Sequence, residues 1–154
     1  MAEKKITVRI YGLCIDDNNN ILVTDEKVGD FYFTKFPGGG LEWGEGTRDC
    51  LVREFKEELN VDIEVQAHYY TTDYFQPSAW NSNQQILSIY YKVKILSQLD
   101  LPISTEVQAL DANIYETEKA RLVPLSQLTE DMLTLPIDKR VCKLLLNDMS
   151  DTAK

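Results

Sequence analysis

From residue 5 to residue 16 the chain alternates, with Ile6, Val8, Ile10 and Cys14 set against Thr7, Arg9 and Tyr11. That is the period of a half-buried β-strand. Asp16-Asp17-Asn18-Asn19-Asn20 is turn chemistry. Residues 21–25 then read as a return strand, so the first 26 residues resemble a hairpin. Residues 31–36 are aromatic and β-prone, and they stop at Pro37-Gly38-Gly39-Gly40, which does not continue a ladder comfortably. A helix follows, with Thr47 as its N-cap and Asn60 as its terminator. Its apolar stripe is Leu51, Val52, Phe55 and Leu59, within an arc of about 100°. Residues 61–75 and 84–96 predict two long strands, the second alternating through Leu87, Ile89, Tyr91, Val93 and Ile95. The polar loop between them, 76–83, holds Pro77 and Trp80. Residues 97–118 are irregular and acidic, 119–125 form a last short strand, and 126–133 a helical turn. A second helix is expected over 138–148 on the stripe Val141, Leu144 and Leu145, with residues 149–154 frayed beyond it. No repeat or linker interrupts the pattern. The expectation is one domain over residues 1–148, mixed α/β or α+β in layers.

Charge narrows the function. The chain of 154 residues carries a net charge of −9, with a sequence pI near 4.6. Phosphate backbones would be repelled, which argues against general nucleic-acid binding. No apolar run approaches the ~18 residues a membrane span needs. The N-terminus lacks the apolar core of a signal peptide. Cys14, Cys50 and Cys142 are widely spaced and odd in number, which suggests reduced thiols in a cytoplasmic protein. The acidic excess is concentrated: residues 39–61 carry a net −3 and residues 97–118 a net −5.

The first of those stretches carries chemistry. Glu54, Glu57 and Glu58 stand at i, i+3 and i+4, on one arc opposite the expected apolar stripe. Three carboxylates on one helix face repel by a few tenths of a kcal/mol per exposed pair. A bound Mg²⁺ or Mn²⁺ reverses that sign, since hard cations take carboxylate oxygens. Arg53, one turn from Glu57, is placed to hold a ligand carboxylate. Small Cys50 on the same arc leaves room for a metal or a glycine-rich loop.

The full pattern is Gly39, five residues, Glu45, seven residues, then Arg53-Glu54-Phe55-Lys56-Glu57-Glu58-Leu59-Asn60-Val61. It resembles the Nudix box of the MutT-like hydrolases: Gly, five spacers, Glu, seven spacers, Arg-Glu-apolar-any-Glu-Glu-any-Gly-apolar. With each residue type at about 6–7% of sequence, chance agreement at the polar and glycine positions is on the order of 10⁻⁷ per window. Asn60 stands where the family has Gly. The position asks for a left-handed helix terminator, which Asn meets.

The resemblance implies an α/β/α sandwich around a mixed sheet and hydrolysis of a diphosphate in a nucleoside diphosphate derivative, with Mg²⁺ or Mn²⁺ as cofactor. Glu54, Glu57 and Arg53 would form the catalytic centre. Glu54, Glu57 and Glu58, with the backbone of Gly38 or Gly39, would hold the metal, while Glu45 and Gly40 brace the box. Glu54 is the first choice of general base, with Glu116 and Glu118 as loop alternatives.

The lone histidine, His68, reads as a partly buried strand residue, and Cys50 as a packing residue rather than a nucleophile. Trp80 and Tyr74 are candidates for stacking on a base, and Lys35 and Arg9 for contacting phosphate. Exposed Trp43 and Trp80 equally suit a homodimer contact. Where MutT-like members carry basic residues after the second strand, this chain has Asp25 and Glu26. The rival readings are a non-catalytic Nudix-fold nucleotide-binding or regulatory module, and an isopentenyl-diphosphate-isomerase-like enzyme. The intact glutamates argue against the first, and the lack of a suitable proton donor–acceptor pair against the second.

Overall fold

A computed structural model describes residues 3–152. The elements in order are β1 (Lys5–Cys14), β2 (Asn20–Val28), β3 (Phe31–Lys35), β4 (Gly38–Gly40), α1 (Thr47–Leu59), β5 (Ile63–Thr71), β6 (Gln84–Ile95), β7 (Glu116–Pro124) and α2 (Pro136–Thr152). Short 3₁₀ turns occupy Leu125–Gln127 and Glu130–Met132, where a helical turn was expected. The architecture is mixed α+β with two sheets. Among the described residues no helix is long and apolar enough to cross a membrane.

The chain divides into two compact units, each assembled from two separate stretches. One comprises Met1–Asp16 with Pro37–Asp100, the other Asp17–Phe36 with Leu101–Lys154.

The first unit holds a four-stranded mixed sheet in the order β4-β1-β6-β5, with α1. β1 runs parallel to β6 and antiparallel to β4, pairing Ile10 with Gly39. As an interior strand, β1 is buried on both faces from Ile10 to Cys14, so its second half does not alternate. The glycines after Pro37 were expected only to end a strand. They form a three-residue edge strand instead, because Pro37 contributes its carbonyl, which accepts the Gly12 N–H at 2.9 Å. Gly12 also lets α1 approach. A Cβ there would lie 2.9 Å from the Phe55 ring and from Val93 Cγ2.

The second unit holds the antiparallel sheet β3-β2-β7 and α2. The expected hairpin between the first two strands is absent, since β1 and β2 belong to different sheets. The true hairpin is β2–β3. Val28 faces Phe31 across Gly29-Asp30, and Gly29 takes φ +60 at the first turn position. β7 begins at Glu116 rather than Lys119, pairing along the whole of β2. Helix α2 starts earlier than expected and continues through Met149 to Thr152, so the frayed segment is helical that far. Residues 153 and 154 lie outside the described residues. Ile137, Val141, Cys142 and Leu145 are its buried apolar positions, while Leu144 is only half-buried.

This unit is organised by a buried ion pair. Arg121 on β7 donates from Nε to Asp25 Oδ2 at 2.8 Å and from Nη2 to Oδ1 at 3.1 Å, and both residues are inaccessible to solvent. Thr34 Oγ1 and the Gln108 amide donate to the same carboxylate at 2.7 and 3.0 Å. Arg121 Nη1 reaches on to the Ser104 carbonyl at 2.9 Å. The irregular segment before β7 is thereby tied to the sheet. Desolvation alone would raise the Asp25 carboxyl, but the bonds from Arg121, Gln108 and Thr34 outweigh it and hold the group below its ordinary 3.8.

Removing one partner of a buried pair typically costs about 3–5 kcal/mol, because it leaves the other charge uncompensated. Arg121→Met is therefore expected to lower the unfolding free energy obtained from urea titration by that much. A depressed carboxyl favours the folded state above its unfolded pKa and loses that contribution as pH falls through the folded value. Wild-type stability should decline from about pH 3.8 downward. The Asp25→Asn variant should be less stable throughout and lack this component of the slope, as urea titrations at stepped pH would show.

Candidate functional site

The site is built within the first unit, from β4, the turn after it and α1. Thr47 was expected as the N-cap of α1, but the helix begins at Thr47 itself and its N-cap is Gly46, with φ −80 and ψ 166. The Asp49 carboxylate accepts the Gly46 N–H at 3.3 Å. Thr47 is the first helical residue, and its hydroxyl pairs with the Tyr91 hydroxyl at 2.7 Å. At the other end Asn60 takes the left-handed conformation, φ 54 and ψ 40, and donates its N–H to the Lys56 carbonyl. The asparagine thus performs the termination expected of it.

The buried arc of α1 is Cys50, Leu51, Glu54 and Phe55. Val52, expected in the stripe, is exposed, and Leu59 is half-buried. The helix is rotated from the amphipathic expectation so that Glu54 turns inward. Its carboxylate packs against Gly39, where any Cβ would collide with it. Gly40 has no such neighbour, since a Cβ there meets only Arg9 Nη1 at 3.8 Å. Gly38 faces Tyr11 and Gly39 faces Ile10 in the β4–β1 ladder.

Arg53 gathers the rest. Its Nε and Nη2 donate to the two oxygens of Glu45 at 3.0 and 2.7 Å. Nη2 also donates to the Gly40 carbonyl at 3.1 Å. On its other edge, Nη1 donates to Glu54 Oε1 at 3.0 Å and to Glu57 Oε2 at 3.2 Å, with Glu42 at 3.6 Å. One guanidinium therefore bridges the glycine strand, the following turn and two helix carboxylates. Glu45 in turn accepts the Glu42 N–H at 2.9 Å, closing the turn. Bonds from Arg53 first, then from the Glu42 backbone, hold the Glu45 carboxyl at about 2. The same contacts raise Arg53 further above its already high value.

Cys50 donates to the Gly40 carbonyl at 3.5 Å. Burial, followed by the neighbouring Glu45, pushes its thiol up to about 12. It is a buried group that packs and hydrogen-bonds beneath the glycine strand. Burial likewise raises Cys14 and Cys142 to about 11, and all three cysteines are free.

Glu54 presents hard oxygen donors beside the bare backbone of Gly39, and carboxylates such as those of Glu54, Glu57 and Glu58 are donors that suit a divalent cation. Among the described residues, however, no three such groups are gathered closely enough to cage an ion. Glu54 and Glu57 are drawn onto Arg53 instead.

The remaining candidates are dispersed. Arg9 on β1 lies opposite Gly40, and its Nε donates to the Tyr11 hydroxyl at 2.6 Å. Tyr74 and Trp80 lie between β5 and β6, Trp80 exposed and Tyr74 half-buried. Lys35 belongs to the second unit, where it is buried and paired with Glu26 at 2.7 Å. Glu116 and Glu118, expected in a loop, are strand residues of β7 in the second unit, facing Val28 and Glu26. His68 is exposed rather than partly buried, because β5 is an edge strand with register shifts on either side of it. Glu42 and Asp25 were missed. Glu42 lies among the spacers of the motif, and the partner of Asp25 is 96 residues away.

The NUDIX domain model matches residues 5–144, and the chain belongs to that family. A stretch of 60 residues, 37% of the chain, is 43% identical to Nudix hydrolase 2 of Arabidopsis thaliana and spans 22% of that protein. A stretch of 65 residues, 41% of the chain, is 32% identical to the 8-oxo-dGTP diphosphatase of Proteus vulgaris and spans 57% of it. The chain thus spans about a fifth and somewhat over half of these curated relatives. The crystal structure of the MutT protein from Methanosarcina mazei superposes with a TM-score of 0.70 at 15% identity, covering 96% of this chain and 98% of that one. At that identity the likeness is one of fold.

Four substitutions test the local geometry. Gly39→Ala must displace Glu54 or the strand, so it is expected to destabilise by about 1–3 kcal/mol, as overpacking does. Gly40→Ala, with open space, should stay within about 0.5 kcal/mol of wild type. Asn60→Ala puts a Cβ into the left-handed region without the local hydrogen bonding of Asn and should cost about 1 kcal/mol. Asn60→Gly should match or exceed wild type. Chemical denaturation of the four variants reads each value.

Proposed function

We propose that this chain is a divalent-metal-dependent hydrolase that cleaves the diphosphate linkage of a nucleoside diphosphate derivative. The observation that carries the reading is the inward rotation of α1, which sets the Glu54 carboxylate against the bare backbone of Gly39. Family membership supports it, as does the name of the Proteus vulgaris relative, a diphosphatase of a nucleotide.

Glu54, Glu57 and Glu58, with a backbone carbonyl of Gly38 or Gly39, are the groups that would hold Mg²⁺ or Mn²⁺. Bound there, the cation would acidify water and offset charge on the phosphate oxygens. A Glu54 carboxylate oxygen is the proposed acceptor of the proton that water loses on attacking phosphorus. The bond broken is the bridging P–O bond, and two phosphorylated products leave. Arg53 and Glu45 hold the helix and the turn in register around that point. Tyr74, Trp80 and Arg9 remain the candidates in this unit for the nucleoside and the phosphates. Of the two acids that depart from the MutT-like pattern, Asp25 is fully engaged by Arg121, which supports a substrate contact different from that of MutT. The free, buried cysteines support a reducing compartment such as the cytoplasm.

The test is release of phosphorylated product from a panel of ADP-ribose, dinucleoside polyphosphates, nucleotide sugars, oxidised nucleoside triphosphates and coenzyme A. Turnover is expected with Mg²⁺ or Mn²⁺ and should vanish in chelator. Glu57→Gln should reduce turnover by about 10²-fold or more while the folded CD spectrum persists. A non-catalytic binding module would show no metal-dependent turnover on any member of the panel.

A further inference from the structure

The guanidinium of Arg53 has two edges with different partners. The Nε–Nη2 edge is fixed to both oxygens of Glu45 and to the Gly40 carbonyl. The Nη1 corner holds Glu54 and Glu57, two of the three carboxylates assigned to the cation. The pairs also differ in exposure. Glu45 and Glu54 are 15% and 12% exposed, whereas Glu57 is 58% exposed. Two carboxylates three residues apart on one helix face repel, and a cation between them offsets that repulsion. That cation is Nη1.

We infer that Arg53 is an exchangeable counter-ion. When a divalent cation binds, Nη1 releases Glu57 and Glu54 to it, while the opposite edge stays clamped to Glu45 and keeps the side chain beside the site. The inference rests on the metal-site reading above and adds a positioning role with a thermodynamic sign. Arg53 competes with the cation for its ligands, so the metal-free protein stays folded and its affinity is held down. Lysine cannot reproduce this, because a single ammonium lacks two separate edges.

The experiment uses the whole chain. Mn²⁺ affinity is measured by electron paramagnetic resonance for wild type and for Arg53→Lys, which keeps the charge. Release of the competing Glu57 and Glu54 pairs is expected to tighten Mn²⁺ binding by about threefold in Arg53→Lys. A pure charge-repulsion effect would leave the two proteins equal. In parallel, the side-chain ¹⁵N resonances of Arg53 are followed in wild type during a Mg²⁺ titration. The Nε–H signal should persist while the Nη1 signals lose their restraint and average. Equal or weaker Mn²⁺ binding by Arg53→Lys, or Nε and Nη1 signals that change together, overturns the exchange and leaves the metal site standing. If wild type binds neither ion, the metal-site reading falls and the exchange with it.

Discussion

The guanidinium of Arg53 is the constraint on which the site depends. It lies between the carboxylates of Glu45, Glu54 and Glu57, and it also reaches the Gly40 carbonyl. A planar fork suits this task, because its donors diverge at fixed angles and so fix the relative positions of everything they touch. Strand, turn and helix are brought to one point by hydrogen bonds to a side chain that cannot lose its charge. The rotation of α1 follows from the same arrangement. A helix turned by hydrophobicity alone would bury Val52 and expose Glu54, and the reverse is seen.

The second unit relies on a related device with a different partner geometry. Arg121 and Asp25 are wholly buried, and the carboxylate has further donors from Thr34 and Gln108. Around it the acidic segment before β7 is fastened by polar bonds. The Lys119 ammonium donates to the Ala109 carbonyl at 2.9 Å, and Lys27 donates to the Ile114 carbonyl. Such a segment buries little apolar surface, so its order derives from these directional contacts rather than from packing.

Much of this was legible in the sequence, and the misses share a cause. Period and turn chemistry located α1, β5, β6 and the asparagine terminator, because those signals are local. The β2–β3 hairpin had a local signal too, the Gly29-Asp30 turn, but the asparagine cluster before Ile21 was the louder one and drew the pairing to the wrong strands. The spacing of the box named Arg53, Glu45 and the helix glutamates before any coordinates. It did not reveal that Arg53 engages both groups at once, nor that Glu42 joins them. The identity of Asp25 as a buried partner was not readable, since nothing near it in sequence differs from an ordinary strand end. Glu116 and Glu118 were misread for the same reason: whether such residues pair is decided by β2, far upstream.

That distance has a consequence for how the protein comes into being. Each unit draws on both an early and a late stretch of chain. On the ribosome, the segment bearing Asp25 is synthesised 96 residues before its arginine. Until then β2 and β3 can form only a two-stranded hairpin, which is marginal by itself in water. The carboxylate that will become inaccessible stays hydrated, and the apolar faces of Ile21 and Val23 have no β7 to lie beside. The second unit therefore acquires its defining contact only once β7 has been synthesised, after a long closure whose entropy must be met before any native contact rewards it. For that interval the growing chain displays an unsatisfied strand edge, the stage at which this fold is most exposed to misassembly.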